Sequence, residues 1–311
     1  RPGKPADMRS SQIPGVLPIA SRMELFAVTL RPSSREREHQ SAVATPDRYT
    51  PWSMSEITFL GTGTSNGIPV IGCECAVCRS DDPRDKRTRT SAVIRTGGAT
   101  FLIDTATELR SQALATGLTR VDAVLMTHAH ADHTGGFDDL RRFNEVQQQH
   151  LPVYADPTTA AMMRDRYAYT FVDAFSFYGG KPDLHLHEVT GPFEALGQEI
   201  IPIPVLHGRL PISGYRIGKI AYVTDAKTIP EESLDLLQDL DVLVLNGLRE
   251  REHPTHLSFD EASNIIHLLS PKRAYLVHLS HETSHQDAQR LLPAGIDVAW
   301  DGLTVEFSEP E

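Results

Sequence analysis

Six consecutive residues, His128-Ala129-His130-Ala131-Asp132-His133, carry three imidazoles and a carboxylate. Imidazole nitrogen and carboxylate oxygen are the donors that suit zinc and similar divalent ions. A regular strand or helix cannot turn all four toward one partner. A tight loop lets them diverge, so that His128 and His130 take one metal while Asp132 and His133 take a second. The flanks fit that picture. Residues 121–126 form an apolar run with the length and β-branched content of a buried strand. Gly135 and Gly136 follow, and then a helix-like segment over 137–146. The pattern therefore lies where a strand hands over to a helix, and it is read as a metal site.

The chain has three cysteines, Cys73, Cys75 and Cys78, all within six residues. An odd count at this spacing makes a poor disulfide framework and a good thiolate half-site for a metal. It suits a reducing, cytoplasmic setting.

These residues need elements to position them. At 40% hydrophobic and 23% charged, the chain reads as globular, with one large domain or two small ones. No run approaches the eighteen or so apolar residues of a membrane span. A net charge of −11 argues against a long basic track for nucleic acid, although it leaves a local patch open. Residues 1–53 are rich in Pro, Ser, Arg and Glu and lack sustained periodicity. They are read as a disordered tail or an over-extended start, with Met54 a plausible beginning of a domain spanning 54–311.

From Glu56 the chain becomes regular. A strand at 57–60 runs into the glycine-rich loop 61–67, which is either an ordinary turn or a close approach to an anion. Strands are expected at 91–95 and 100–104, and a helix at 106–116. Asp104, beside the strand that leads to His128, either orients a ligand or caps a turn. Further on come a strand at 153–155, a helix at 157–167 and an aromatic loop at 171–178. Alternating strands follow at 184–189 and 199–205. His185 and His187 are read as surface residues. His207 ends a strand, and a hairpin over 212–223 leads to Asp225. His256 precedes Ser258-Phe259-Asp260-Glu261, which has the form of a capping box opening a helix to Leu269. A helix N-terminus favours an anion, so His256 is either a phosphate-side residue or an ordinary surface histidine. The strand 274–277 ends at His278, with His281 three residues beyond. Strands at 298–300 and 304–307 close the chain.

Strand ends on one edge of a sheet converge, so His128, His130, Asp132, His133, His207, Asp225 and His278 can build one centre from four loops. This order of residues, from Ile57 to Phe307, resembles the metallo-β-lactamase superfamily. The resemblance implies an α/β fold, a four-layer αβ/βα sandwich with two metals at one edge. It also implies that His128, His130 and His207 hold one metal, that Asp132, His133 and His278 hold the other, and that Asp225 bridges them. A cysteine takes the bridging place in true β-lactamases, and none lies near Asp225, so antibiotic hydrolysis is not expected. A further zinc on Cys73, Cys75, Cys78 and His281 resembles the phosphoribosyl 1,2-cyclic phosphate phosphodiesterases of phosphonate breakdown.

The expectation is a metal-dependent phosphoric diester hydrolase with two divalent ions, zinc or manganese, and one structural zinc. Paired ions hold a hydroxide poised for in-line attack on a small, cyclic, sugar-type phosphodiester. Asp132 and His256 are the candidate catalytic side chains. In the resembled family the histidine corresponding to His256 contacts the phosphate or assists the leaving group. The alternatives are a tRNA 3′-end endonuclease, a thioester or lactone hydrolase, and a non-catalytic metal-binding protein on the same scaffold. The acidic charge and the lack of a basic arm disfavour the nuclease. A homodimer stays open.

Overall fold

The computed structural model describes residues 55–171 and 180–309. The tail expected over 1–53, the start at Met54 and the aromatic loop beyond Phe171 lie outside the described residues. Fourteen strands are described: β1 Ser55–Gly61, β2 Ser91–Thr96, β3 Ala99–Ile103, β4 Ala123–Leu125, β5 Leu151–Ala155, β6 Leu184–Glu188, β7 Phe193–Ala195, β8 Gln198–His207, β9 Leu210–Ile217, β10 Ile220–Val223, β11 Val242–Asn246, β12 Arg273–Val277, β13 Ile296–Val298 and β14 Thr304–Phe307. They form two seven-stranded sheets, ordered β14-β1-β2-β3-β4-β5-β6 and β13-β12-β11-β10-β9-β8-β7. In each sheet, antiparallel ladders give way to parallel ones, from β3 to β6 in the first and from β10 to β13 in the second.

The central parallel strands are mostly apolar because both their faces are covered, whereas the edge strand β6 alternates Leu184 and Leu186 with the exposed His185 and His187. All five residues of β3 and all five of β11 are buried. Ile57, Phe59, Phe101 and Leu125 of the first sheet pack against Tyr215, Tyr222, Val244 and Val277 of the second in one central core. Helices cover the two outer faces. On the first are α1 (Leu109–Thr116), the one-turn α2 (Ala131–Thr134), α3 (Leu140–Gln147), α4 (Pro157–Arg166) and the short α5 (Ala168–Phe171). The second carries α6 (Glu231–Asp235), α7 (Phe259–Leu269) and α8 (His285–Leu291). This is the four-layer αβ/βα sandwich expected from the sequence.

Two boundaries differ from expectation, and one strand is added. Helix α1 starts at Leu109 instead of 106, because Thr105 bonds across to the metal loop, donating to the His133 carbonyl at 2.8 Å and accepting from the Gly136 amide at 2.9 Å. Strand β13 lies at Ile296–Val298 instead of 298–300, because the Leu303 amide bonds the Trp300 carbonyl and turns the chain there. The short strand β7 was not foreseen, and it exists through its pairing with β8. No helix among the described residues is long and apolar enough to cross a membrane.

The sheets are joined where the metal loop begins. The Ser213 amide of β9 donates to the Thr127 carbonyl at 3.0 Å, and the buried Tyr215 hydroxyl donates to the Met126 carbonyl at 2.7 Å. Removing one partner of a buried hydrogen bond costs about 1–3 kcal/mol. Tyr215→Phe should therefore lower the unfolding free energy by about that amount, read as a shifted urea midpoint at constant slope.

Candidate metal centres

The seven candidate donors meet at the ends of strands, as the sequence pattern suggests. His128 and His130 lie in the loop after β4, while Asp132 and His133 sit on α2 instead of in an irregular loop. His207 is the last residue of β8, Asp225 follows β10, and His278 follows β12. One ring nitrogen each of His128, His130 and His207 can be chosen so that all three lie within 4.8 Å of one another. The same holds for His128, His133 and Asp225. On the other side, His133 Nε2 is 3.4 Å from Asp132 Oδ2 and 3.3 Å from Asp225 Oδ2. His278 Nε2 is 3.2 Å from Asp225 Oδ1, so the Asp225 carboxylate stands between the two groups.

The hydrogen bonds around the rings fix which nitrogen is free. Thr127 gives its hydroxyl proton to Asp104, at 2.7 Å, so its 3.0 Å contact with His128 Nδ1 must be donated by the ring. His133 Nδ1 donates to Asp104 Oδ2 at 2.7 Å. His207 Nδ1 donates to the Thr255 carbonyl at 2.8 Å. Thr90 gives its proton to the Gly63 carbonyl, so His278 Nδ1 donates to the Thr90 oxygen at 3.1 Å. All four rings therefore carry hydrogen at Nδ1, which leaves Nε2 as the nitrogen through which each can bind a metal. Burial works against charge on His133, but the Asp225 and Asp104 carboxylates outweigh it and push that ring well above its ordinary range. The Nε2 atoms of His128 and His133 are buried without a hydrogen-bond partner. Burial pushes the His128 ring well below its ordinary range and keeps it neutral. A buried lone pair without a donor is costly unless a cation meets it, and the donor set fits one.

Asp104 orients this site. Besides His133 it accepts the Thr127 amide at 2.8 Å and the Thr127 hydroxyl. Arg166 of α4 braces the same loop, donating to the Ala129 carbonyl at 2.6 Å and the Thr134 hydroxyl at 2.7 Å. Neither Arg166 nor Thr90 carried a sequence signal, because both reach the site only through tertiary packing.

The thiols form a second group. His281 Nδ1 lies 3.3 Å from Cys73 Sγ, 3.4 Å from Cys75 Sγ and 3.5 Å from Cys78 Sγ. An N–S edge of a zinc tetrahedron with ordinary bond lengths is about 3.5 Å, so these four atoms already have the right spacing. The Cys78 amide and His281 lower the Cys75 thiol to about 6, while burial lifts Cys78 to about 11. The Val70 amide donates to Cys78 Sγ at 3.3 Å.

Three expectations change. The capping box of α7 is present, with the Ser258 amide on the Glu261 carboxylate and the Glu261 amide on Ser258 Oγ, so these amides are not free for an anion. His256 lies two residues before this cap, with Nε2 3.1 Å from Asp225 Oδ1 and its side chain 12% exposed. In the glycine-rich loop the amides of Gly63, Thr64 and Gly67 bond backbone carbonyls, so they too are engaged. A β-carbon on Gly61 would stand 2.0 Å from the Arg89 carbonyl, which explains the glycine as close packing. His185 is exposed as expected, but it is not isolated. Asp183, two residues earlier, and His150 lie beside it, with His150 Nδ1 2.6 Å from the Asp183 carboxylate.

Fold and site together define an αβ/βα sandwich protein with a His- and Asp-rich candidate metal centre at one edge of its sheets. The chain belongs to the metallo-β-lactamase superfamily: residues 99–279 match the model of the Beta-lactamase superfamily domain. It is similar to the crystal structure of a new diphosphatase from the PhnP family, at 41% identity and a TM-score of 0.76, over 81% of this chain and 97% of that one. An octanoyltransferase of Porphyromonas gingivalis is 43% identical over 255 residues, 80% of this chain and 51% of that protein. A ribonuclease Z of Mycolicibacterium gilvum is 30% identical over 172 residues, 53% of this chain and 52% of that protein. The chain thus spans about half the length of these two curated relatives.

Replacing a partner that orients a metal-ligating histidine typically lowers metal affinity about 10–100-fold. Asp104→Asn, which offers His133 Nδ1 an amide in place of a carboxylate, should weaken divalent-metal binding by about that factor, measured by competition with a chelating dye.

Proposed function

We propose that residues 54–311 form a two-metal phosphodiesterase that hydrolyses a small, cyclic, sugar-type phosphodiester in the cytoplasm. The observation that carries this reading is the set of four rings anchored through Nδ1, with Nε2 atoms converging around Asp225. His128, His130 and His207 would hold one ion, Asp132, His133 and His278 the other, and Asp225 both. Zinc or manganese there would supply an activated water and neutralise charge on the phosphate oxygens. The chain's own residues do the rest. The His207 and His278 rings both lie against His256, at centroid distances of 4.6 and 4.9 Å, and His130 is the exposed member of the set. His256 lies against Asp225 with Nε2 directed at the reacting region, where it can protonate the departing oxygen. The similarity to a PhnP-family diphosphatase supports phosphorus as the centre attacked.

A substrate panel on metal-loaded protein tests the reading. It should contain a cyclic sugar phosphodiester, a nucleotide diphosphate, a tRNA precursor and an octanoyl thioester. Turnover of the thioester alone, or of the tRNA precursor alone, would overturn the proposal. The similarity to the octanoyltransferase and the ribonuclease Z makes those two the controls to include.

Up to three metals per chain are expected. Cys75→Ser should lose about one zinc and lower the melting temperature, because a structural zinc contributes folding free energy. Asp225→Ala should deplete the two-metal centre while leaving the fold largely intact. Elemental analysis with thermal denaturation separates the two outcomes, and protein purified with no zinc on the cysteines would remove the structural site.

His256→Ala should keep full metal content while turnover of an alkyl phosphodiester falls about 10²–10⁴-fold, the usual worth of a general acid. With a nitrophenyl ester, whose leaving group needs no proton, the loss should shrink. An equal loss for both esters would make His256 a phosphate anchor, and no loss would make it a bystander.

A further inference from the structure

His253 stands three residues before His256 on the loop that joins β11 to α7, and it is half-buried. Its ring meets that of His256 at a centroid distance of 5.0 Å. The two Nδ1 atoms are 3.1 Å apart. A proton must lie between them, since two lone pairs at this separation repel. The Thr255 amide settles which ring owns it. That N–H can only donate, and it donates to His253 Nδ1 at 3.3 Å. His253 Nδ1 is therefore an acceptor, and the hydrogen sits on His256 Nδ1. The Thr255 hydroxyl completes the triangle, 3.2 Å from His253 Nδ1 and 3.0 Å from His256 Nδ1. Burial and the neighbouring His256 push the His253 ring below its ordinary range, which keeps it neutral as the acceptor requires.

We propose that His253 is a positioning residue acting through His256: by accepting the Nδ1 hydrogen it makes Nε2 the atom that exchanges a proton with the departing oxygen. The inference rests on the phosphodiesterase reading above for its chemistry, but not for the ring geometry. In the step itself, water adds to phosphorus and the bond from phosphorus to the leaving oxygen breaks. The Asp225 carboxylate only accepts, so its 3.1 Å contact with His256 Nε2 places a second hydrogen there. That Nε2–H bond breaks as the leaving oxygen gains the hydrogen, and the ring stays protonated at Nδ1 against His253. Solvent then returns a proton to Nε2. Without His253, the His256 ring loses the acceptor that keeps hydrogen at Nδ1 and holds its plane.

Asparagine tests this directly, because its Oδ1 can occupy the place of the imidazole Nδ1 as an acceptor. With the full chain loaded with metal, His253→Ala should lower kcat for an alkyl phosphodiester by about 10–100-fold, a fraction of a general acid's full worth, with KM and metal content unchanged. The loss should be small for the nitrophenyl ester, and His253→Asn should recover most of it. The nitrogen-15 shifts of His256 should report hydrogen at Nδ1 in the wild type and in His253→Asn, and a loss of that hydrogen in His253→Ala. An asparagine variant as impaired as the alanine one would overturn the proposal. So would a loss independent of the leaving group, or an unchanged His256 Nδ1 shift in His253→Ala. If the wild type cleaves no phosphodiester, the phosphodiesterase reading falls, and the nitrogen-15 measurement still decides the place of His253.

Discussion

The candidate centre depends on three residues held in the left-handed region of backbone space. Asp104, Asp225 and His278 have φ of 59°, 59° and 62°, and each stands just past the end of a parallel strand. Such a conformation costs a residue with a β-carbon on the order of 1–3 kcal/mol and persists only where the surroundings over-determine it. Glycine would remove the strain and also the side chain that the site needs. The surroundings here are specific. Asp104 accepts three hydrogen bonds, Asp225 takes the Thr224 hydroxyl at 2.6 Å, and the His278 ring is anchored on Thr90. The tightly packed sheets thus hold three side chains pointing out of their edge while the backbone turns away.

This arrangement carries an electrostatic cost that folding alone does not remove. His128, His133, Asp225 and His278 are all buried. The Nδ1 donors of the three rings are satisfied, but their Nε2 atoms face one another and the Asp225 carboxylate. Interior packing cannot relieve that convergence, because each ring is held by a partner on a different element. Positive charge between the rings relieves it, so occupancy of the site and stability of the strand ends are linked. The thiol cluster follows the same logic in a softer donor set, with backbone amides on sulfur in place of hydroxyls on imidazole.

Much of this was legible in the sequence because the chemistry sits at strand ends, and strand ends are marked by apolar runs that stop. His128, His130, Asp132 and His133 announce themselves by spacing, and His207, Asp225 and His278 by following predicted strands. Other residues could not be found this way. Thr90 and Arg166 look like ordinary polar residues until the fold brings them under the rings. Asp183 was overlooked beside His185, although it lies only two positions away. His150 reaches them because β5 and β6 are parallel neighbours with Leu151 opposite Leu184. His253 was within reach of sequence reasoning through its three-residue spacing from His256, but its acceptor role follows only from the Thr255 amide. At the start of α7 the capping box that identifies the helix also engages two of its amides, those of Ser258 and Glu261.

One short segment draws these parts together. Within residues 278–282 the chain offers His278 to the two-metal centre and His281 to the thiols, and it offers Glu282 to Arg249 at 2.7 Å and to Arg251 at 2.8 Å. Those two arginines belong to the loop that carries His253 and His256, and the Ser280 amide ties the segment to the same loop through the Leu248 carbonyl at 2.9 Å. The Leu279 amide bonds the Thr62 carbonyl, and the Thr64 amide bonds that of Leu279. This pins the glycine-rich loop to the segment as well. Exposed ion pairs such as Arg251 with Glu282 contribute little by themselves. Their effect here is geometric, since Arg249 is mostly buried and Glu282 receives both arginines. A shift of His281 by an ångström would therefore move His278 on one side and the His256 loop on the other. The thiol cluster, remote from the reacting region in sequence, is next to it in constraint.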